Sequence, residues 1–96
     1  MTPSDAFHSN RAAIRRVVEA HRGLNARVFG SVLHGEDTEN SDLDILIDTT
    51  PGATLFDLGG LQEELEDLVG VRVDLLTPRD LPLKFRALVI AEAIPV

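Results

Sequence analysis

The 96-residue chain is predicted to fold as a small mixed α/β (α+β) unit, a β-sheet flanked by helices in the order α-β-β-α-β-α. Three observations predict it. Two segments near residues 5–21 and 54–68 space apolar residues at three- and four-residue steps, the period of one helix face. Two others, Leu43–Asp48 and Val71–Leu76, alternate apolar with charged residues, the period of a strand with one covered face. Glycine, proline and asparagine punctuate the boundaries between them. With 96 residues there is room for one core, so residues 1–96 are expected to form a single domain.

The first helix is expected from about Asp5 to His21, capped by Ser4 or Asp5, with Ile14, Val17 and Val18 on its apolar stripe. Gly23 and Asn25 read as stop signals. Arg27-Val28-Phe29 follows as a short strand that runs into Gly30-Ser31. Val32 to Ser41 is polar beyond its start and reads as a loop or short helical turn. On the next strand Leu43, Ile45 and Ile47 share one face, and Asp42, Asp44, Leu46 and Asp48 the other. A second helix from about Thr54 to Leu68 carries Leu55, Leu58, Leu61, Leu65 and Leu68 as its stripe, and Gly70 stops it. Its carboxylates, Asp57, Glu63, Glu64, Glu66 and Asp67, read as a solvated face. Val71–Leu76 forms the third strand, closed by Pro78. Asp80 then reads as the N-cap of a last helix bearing Leu83, Ala87, Ile90 and Ala91, with Pro82 in its first turn. The tail Ala93–Val96 is apolar and suggests an interface.

Composition narrows the function. Nine basic residues against sixteen acidic give a net charge of −7, which argues against stable nucleic-acid binding through phosphates. The absence of cysteine excludes disulfides, thiolate zinc sites and cysteine nucleophiles. Neither a signal-peptide pattern nor a run long enough to span a bilayer is present, so a cytoplasmic protein without membrane contact is expected.

The chemistry is concentrated in three carboxylates. Asp42 and Asp44 project from the same strand face, and Asp74 from the polar face of another strand. If the two strands are neighbours, the three converge, and the repulsion is relieved by a raised pKa or by a divalent cation. An all-oxygen ligand set suits Mg²⁺, which is held by carboxylates together with substrate phosphates. Two such ions stabilise the attacking and leaving oxygens of a phosphoryl or nucleotidyl displacement. Upstream, Gly30-Ser31 lets a backbone approach a phosphate closely and offers hydroxyl and N–H donors, and Gly35 permits a second close approach. Singly, a Gly-Ser pair is an ordinary turn and an Asp-x-Asp an ordinary strand edge. Their order and spacing give them weight.

Gly30-Ser31, ten residues, then Asp42-Leu43-Asp44, with Asp74 on a later strand, matches the Gly-Ser-x10-Asp-x-Asp signature of the polymerase-β-like nucleotidyltransferase superfamily. From about Val28 to the end, the chain resembles its minimal nucleotidyltransferase (MNT) branch, close to the MntA-type antitoxins of HEPN/MNT toxin–antitoxin systems. The resemblance implies a nucleotidyltransferase-like fold. It implies that Asp42, Asp44 and Asp74 bind two Mg²⁺ ions, with Asp74 assisting deprotonation of the attacking hydroxyl. Gly30 and Ser31 would hold the β- and γ-phosphates of ATP. The implied reaction transfers AMP to a tyrosine of a HEPN ribonuclease toxin, a partner held in a hetero-oligomer. Many relatives carry arginine where this chain has His34, which lacks an arginine's permanent charge; His34 reads either as an exposed loop residue or as a phosphate contact. Arg72, on the strand face of Asp74, reads either as a phosphate contact or, the favoured reading, as a counter-charge to nearby carboxylates, and His8 and His21 read as surface residues. The alternative is a binding module with a vestigial site that neutralises a toxin by contact, through the acidic second helix and the apolar last helix. A small-molecule nucleotidyltransferase is disfavoured, because no residues remain for an acceptor-binding domain.

Overall fold

The computed structural model describes all 96 residues. Its elements are α1 (Pro3–Ala20), β1 (Gly23–Phe29), β2 (Leu43–Thr49), α2 (Leu55–Val69), β3 (Val73–Leu76), a 3₁₀ turn (Pro78–Asp80), α3 (Leu83–Glu92) and β4 (Ile94–Pro95). The expected order of helices and strands is the observed one, extended by β4. The four strands form one mixed sheet in the order β3-β2-β1-β4. β1 runs antiparallel to β2 and β4, and β2 runs parallel to β3. Parallel pairing requires a crossover, and α2 supplies it.

The alternation seen in the sequence decides which sheet face is covered. Leu43, Ile45 and Ile47 of β2 are fully buried and meet Val28 of β1 and Val73 of β3. α1 and α2 cover this face through Ala6, Phe7, Ile14 and Val18 and through Leu61, Leu65 and Val69. Leu58 and Leu68 pack at the edge of this cluster, whereas Leu55 lies outside the stripe and is exposed, as is Phe56. A register of α2 that buries Leu61 and Leu65 turns its first residues away from the sheet. On the opposite face Leu46 is also fully buried and Leu81 nearly so, and the 3₁₀ turn packs against β2.

Both long helices begin at threonine. Thr2, not Ser4 or Asp5, caps α1 by accepting from the Asp5 N–H, and the Asp5 carboxylate in turn accepts from the Thr2 N–H. The cap lies earlier than expected because Pro3 fits the first helical position, where its missing N–H costs nothing. Thr54 and Asp57 repeat this box on α2, and Gly70 ends the helix in the left-handed region at φ 72°. Asp80 is a correction. It does not cap α3 but closes the preceding 3₁₀ turn, accepting from the Thr77 N–H and hydroxyl at 2.9 Å each. Pro82 therefore precedes α3 instead of lying in its first turn. Arg86 ties the two pieces together by donating to the carbonyls of Arg79 and Leu81.

β1 is longer than expected. Gly23 and Asn25 do not end structure; they lie inside the strand, which begins as soon as Arg22, at φ 65°, turns the chain. The ladder slips by one residue between Leu24 and Arg27, where Asn25 takes φ 53°. Asparagine tolerates this conformation, and the result is a β-bulge. Beyond the bulge Phe29 faces Asp44, so Gly30 emerges beside that carboxylate. The tail, expected as an interface, also pairs within the chain and leaves Ile94 48% exposed. It folds back on its own sheet, with Val96 buried and its N–H donating to the Ala26 carbonyl at 2.9 Å. Arg15 donates to the Val96 carbonyl and Arg11 to that of Pro95. No helix is long and apolar enough to cross a membrane.

Candidate active site

Asp44 lies on the sheet face opposite α1 and α2. In the β2–β3 ladder its Cα partner is Asp74, so the condition set by the sequence is met: the two strands are neighbours and the two carboxylates are directly opposed. Asp42 stands two residues earlier, just ahead of the strand, where it approaches Arg72 with Nε–Oδ1 3.6 Å. Arg72 is thus the counter-charge to Asp42 rather than to Asp74, although it is largely exposed. Neither Asp44 nor Asp74 is paired with a cation.

The electrostatics follow. Burial first, and then the nearby charges of Asp74 and Asp42, together push the Asp44 carboxyl up to about 6. The Ser31 backbone N–H acts the opposite way. A half-buried carboxylate pressed by two like charges is a group prepared for a cation. The donor set fits a hard divalent ion, being all oxygen with neither cysteine nor imidazole among the three. The trio is gathered but not closed: no three acidic or imidazole side chains already enclose an ion-sized point.

Gly30 packs against Asp44. Its φ is +74°, and a Cβ built on it would lie 2.1 Å from Asp44 Oδ2. Glycine is therefore required twice over, by conformation and by space. The segment after it folds as one tight turn, with the His34 N–H donating to the Gly30 carbonyl at 3.2 Å and the Glu36 N–H to that of Ser31 at 2.9 Å. The stretch from Val32 to Ser41, expected as a loop or short helical turn, is turn and loop without helix. Gly35 also has positive φ, 68°, but a Cβ there meets nothing within 4 Å, so turn geometry accounts for it. His34 is exposed and reaches Glu92 of α3, Nε2–Oε2 3.3 Å. Its partner in this structure is therefore a carboxylate of α3. His8 is exposed, and His21 lies against Glu64.

Three features had no signal in the sequence. Asp37 accepts from the Ser4 N–H at 2.9 Å and from its hydroxyl at 2.6 Å, which ties the loop between Ser31 and Asp42 to the start of α1. These bonds hold the Asp37 carboxyl below the usual carboxylate range. On the site face, Arg27 is buried and bonds Asp48 at 2.8 Å, so Asp48 is occupied by a structural ion pair. Within the acidic helix, Glu66 also has a structural task, accepting from the Val73 N–H at 3.0 Å.

A glycine turn laid against opposed strand carboxylates, on a mixed sheet backed by two helices, defines a class of phosphate-handling proteins rather than a general α/β fold. The chain belongs to the nucleotidyltransferase domain family, whose model matches residues 11–96. It is 37% identical over 76 residues to a Methanocaldococcus jannaschii protein that carries the name of a protein adenylyltransferase, covering 79% of this chain and 82% of that one. A solved structure described as a minimal nucleotidyltransferase superposes with TM-score 0.87 at 41% identity, over 97% of this chain and 95% of that chain. A toxin–antitoxin structure with AMP-PNP superposes with TM-score 0.74 over 90% of this chain and 71% of that one; at 20% identity the likeness speaks to the fold alone.

Proposed function

We propose that this chain, acting as one domain, is a metal-dependent nucleotidyltransferase that moves AMP from ATP to a tyrosine of a partner HEPN ribonuclease toxin, and so serves as its antitoxin. The observation that carries the reading is the opposition of Asp44 and Asp74 across parallel strands, with Gly30 packed on Asp44. The adenylyltransferase name of the relative supports a protein acceptor, and the resemblance to the MNT antitoxins, in a fold shared with a toxin–antitoxin structure, is the ground for the choice of partner.

In this reading Asp42, Asp44 and Asp74 are the ligands for two Mg²⁺ ions, which when bound supply charge stabilisation to the attacking and leaving oxygens. Gly30 and Ser31 receive the β- and γ-phosphates, through a backbone without a Cβ and through hydroxyl and N–H donors. Gly35 completes the turn that presents them. Asp74 accepts the proton of the acceptor hydroxyl. The acceptor oxygen bonds the α-phosphorus, the bond from that phosphorus to the bridging oxygen breaks, and pyrophosphate leaves.

The test is intact-mass analysis of the purified partner after incubation with ATP, Mg²⁺ and either wild type or Asp42→Asn. Wild type is expected to add whole AMP units, and Asp42→Asn none while remaining folded. Equal transfer by both proteins refutes the ligand assignment. One observation favours direct contact as a second reading: α3 leaves Leu83 and Leu88 exposed, 81% and 58%. If Asp42→Asn still neutralises the toxin with no mass change in either form, contact alone is the mechanism.

A further inference from the structure

The sheet face that carries the carboxylates continues into a cleft for which the phosphate site has no use. A cavity of about 350 Å³ opens between this face and the C-terminal segment. Its floor is Phe29 and Leu76; its wall is Leu81, Phe85 and Val89. One end is Gly30, the same residue that packs on Asp44. The polar side chains His34 and Glu92 stand at the rim and contact each other at 3.3 Å.

The cleft is placed and built for a flat ring attached to a phosphate chain. Phe29 is the ladder partner of Asp44, and Leu76 lies two residues beyond Asp74 on the same face, about 6.6 Å along the strand. A ribose spans such a distance. The volume falls at the lower end of small-molecule sites, enough for one nucleoside. Phe85 is 49% exposed, with the Lys84 ammonium 5.6 Å from its ring centroid on a flexible stem that a stacked ring displaces.

We propose that this cleft seats the nucleobase of the nucleoside triphosphate, stacked on Phe85, while the phosphates lie at Gly30-Ser31. The proposal rests on the nucleotidyl-transfer reading above and deepens it: Phe85 is the residue that makes the site bind a nucleotide rather than a bare polyphosphate. A base is preferred to an apolar side chain of a partner because the cleft ends at the glycine that touches the carboxylates, so its occupant must be continuous with what those carboxylates bind.

Calorimetric titration with ATP and with inorganic tripolyphosphate, each with Mg²⁺, tests it on wild type, Phe85→Ala, Phe85→Trp and Leu88→Ala. Phe85→Ala is expected to weaken ATP binding by about tenfold, the size of one lost base–aromatic stack, and to leave tripolyphosphate unchanged. Phe85→Trp restores ATP binding. Leu88→Ala, on the same helix but outside the cleft, changes neither affinity. Unchanged ATP affinity in Phe85→Ala overturns the proposal and assigns the cleft to a partner's apolar side chain. Equal loss of both ligands also overturns it, because the damage then lies at the phosphate turn. If wild type binds neither ligand, the nucleotidyl-transfer reading fails and the base site with it, an outcome distinct from the other two.

Discussion

Asp44 is the residue whose burial and neighbouring charges act most directly against the folded state. Its folded carboxyl titrates near 6 against an ordinary value of 3.8. Between those values the folded state binds more protons than the unfolded one, so stability falls as pH rises through the window and the full cost is present above about pH 6. Asp44→Asn removes this cost. In metal-free buffer the variant is expected to be more stable than wild type above the window by about 1–2 kcal/mol, after allowance for solvent screening of a half-exposed group. Below the window the difference disappears, which urea melts on both sides of it will check; a difference independent of pH refutes the origin assigned to it. Much of this was legible from the residues. Alternation alone places Asp42 and Asp44 on one face away from Leu43, Ile45 and Ile47. The opposition of Asp44 and Asp74 was legible only as a condition, because it depends on which strands pair and in what register.

At the scale of elements, the loop between Ser31 and Asp42 is held from outside itself. Asp37 grips the Ser4 N–H and hydroxyl across 33 residues of sequence. Its lowered pKa gives the sign: the stability it contributes is present above the ordinary carboxylate value of 3.8 and is lost as pH falls through the lower folded value. Asp37→Ala is therefore expected to lower the melting temperature at neutral pH, with the gap from wild type closing in acid. Amide exchange in residues 36–41 should quicken at the same time. A gap that persists in acid argues against the carboxylate as its cause. Caps illustrate what local sequence can and cannot tell. Thr54 with Asp57 and Thr2 with Asp5 follow the capping-box spacing. Asp80 has the same spacing from Thr77, yet it serves a 3₁₀ turn because Pro82 stands between it and α3.

For the whole molecule, the strand order separates stability from chemistry. β4 pairs only with β1, at the sheet edge away from β2 and β3, where Asp44 and Asp74 lie. Removing residues 94–96 exposes the apolar surface that Val96 covers, frees the Ala26 carbonyl, and strips Arg11 and Arg15 of their acceptors. The expected cost is about 2–3 kcal/mol, mainly from the lost burial of one valine. It should appear as a lower urea midpoint, with AMP transfer per folded molecule retained. Loss of transfer without loss of stability contradicts this division.

The sequence by itself determined whatever is periodic or adjacent: helix and strand periods, the glycine stop at Gly70, the acidic character, and the Gly-Ser-x10-Asp-x-Asp spacing. Those signals are local because the chain repeats its side-chain directions every two or 3.6 residues. Only the tertiary structure decided that β2 and β3 pair in parallel with Asp44 against Asp74, that the tail becomes β4, and that α3 stands off the sheet to leave a cleft. It also decided the pairing of Ser4 with Asp37 and of His34 with Glu92. Each of these joins residues far apart in the chain. They meet only once a bulge at Asn25 and the crossover through α2 have set the register, and burial and neighbouring charge then give Asp44 its altered acidity.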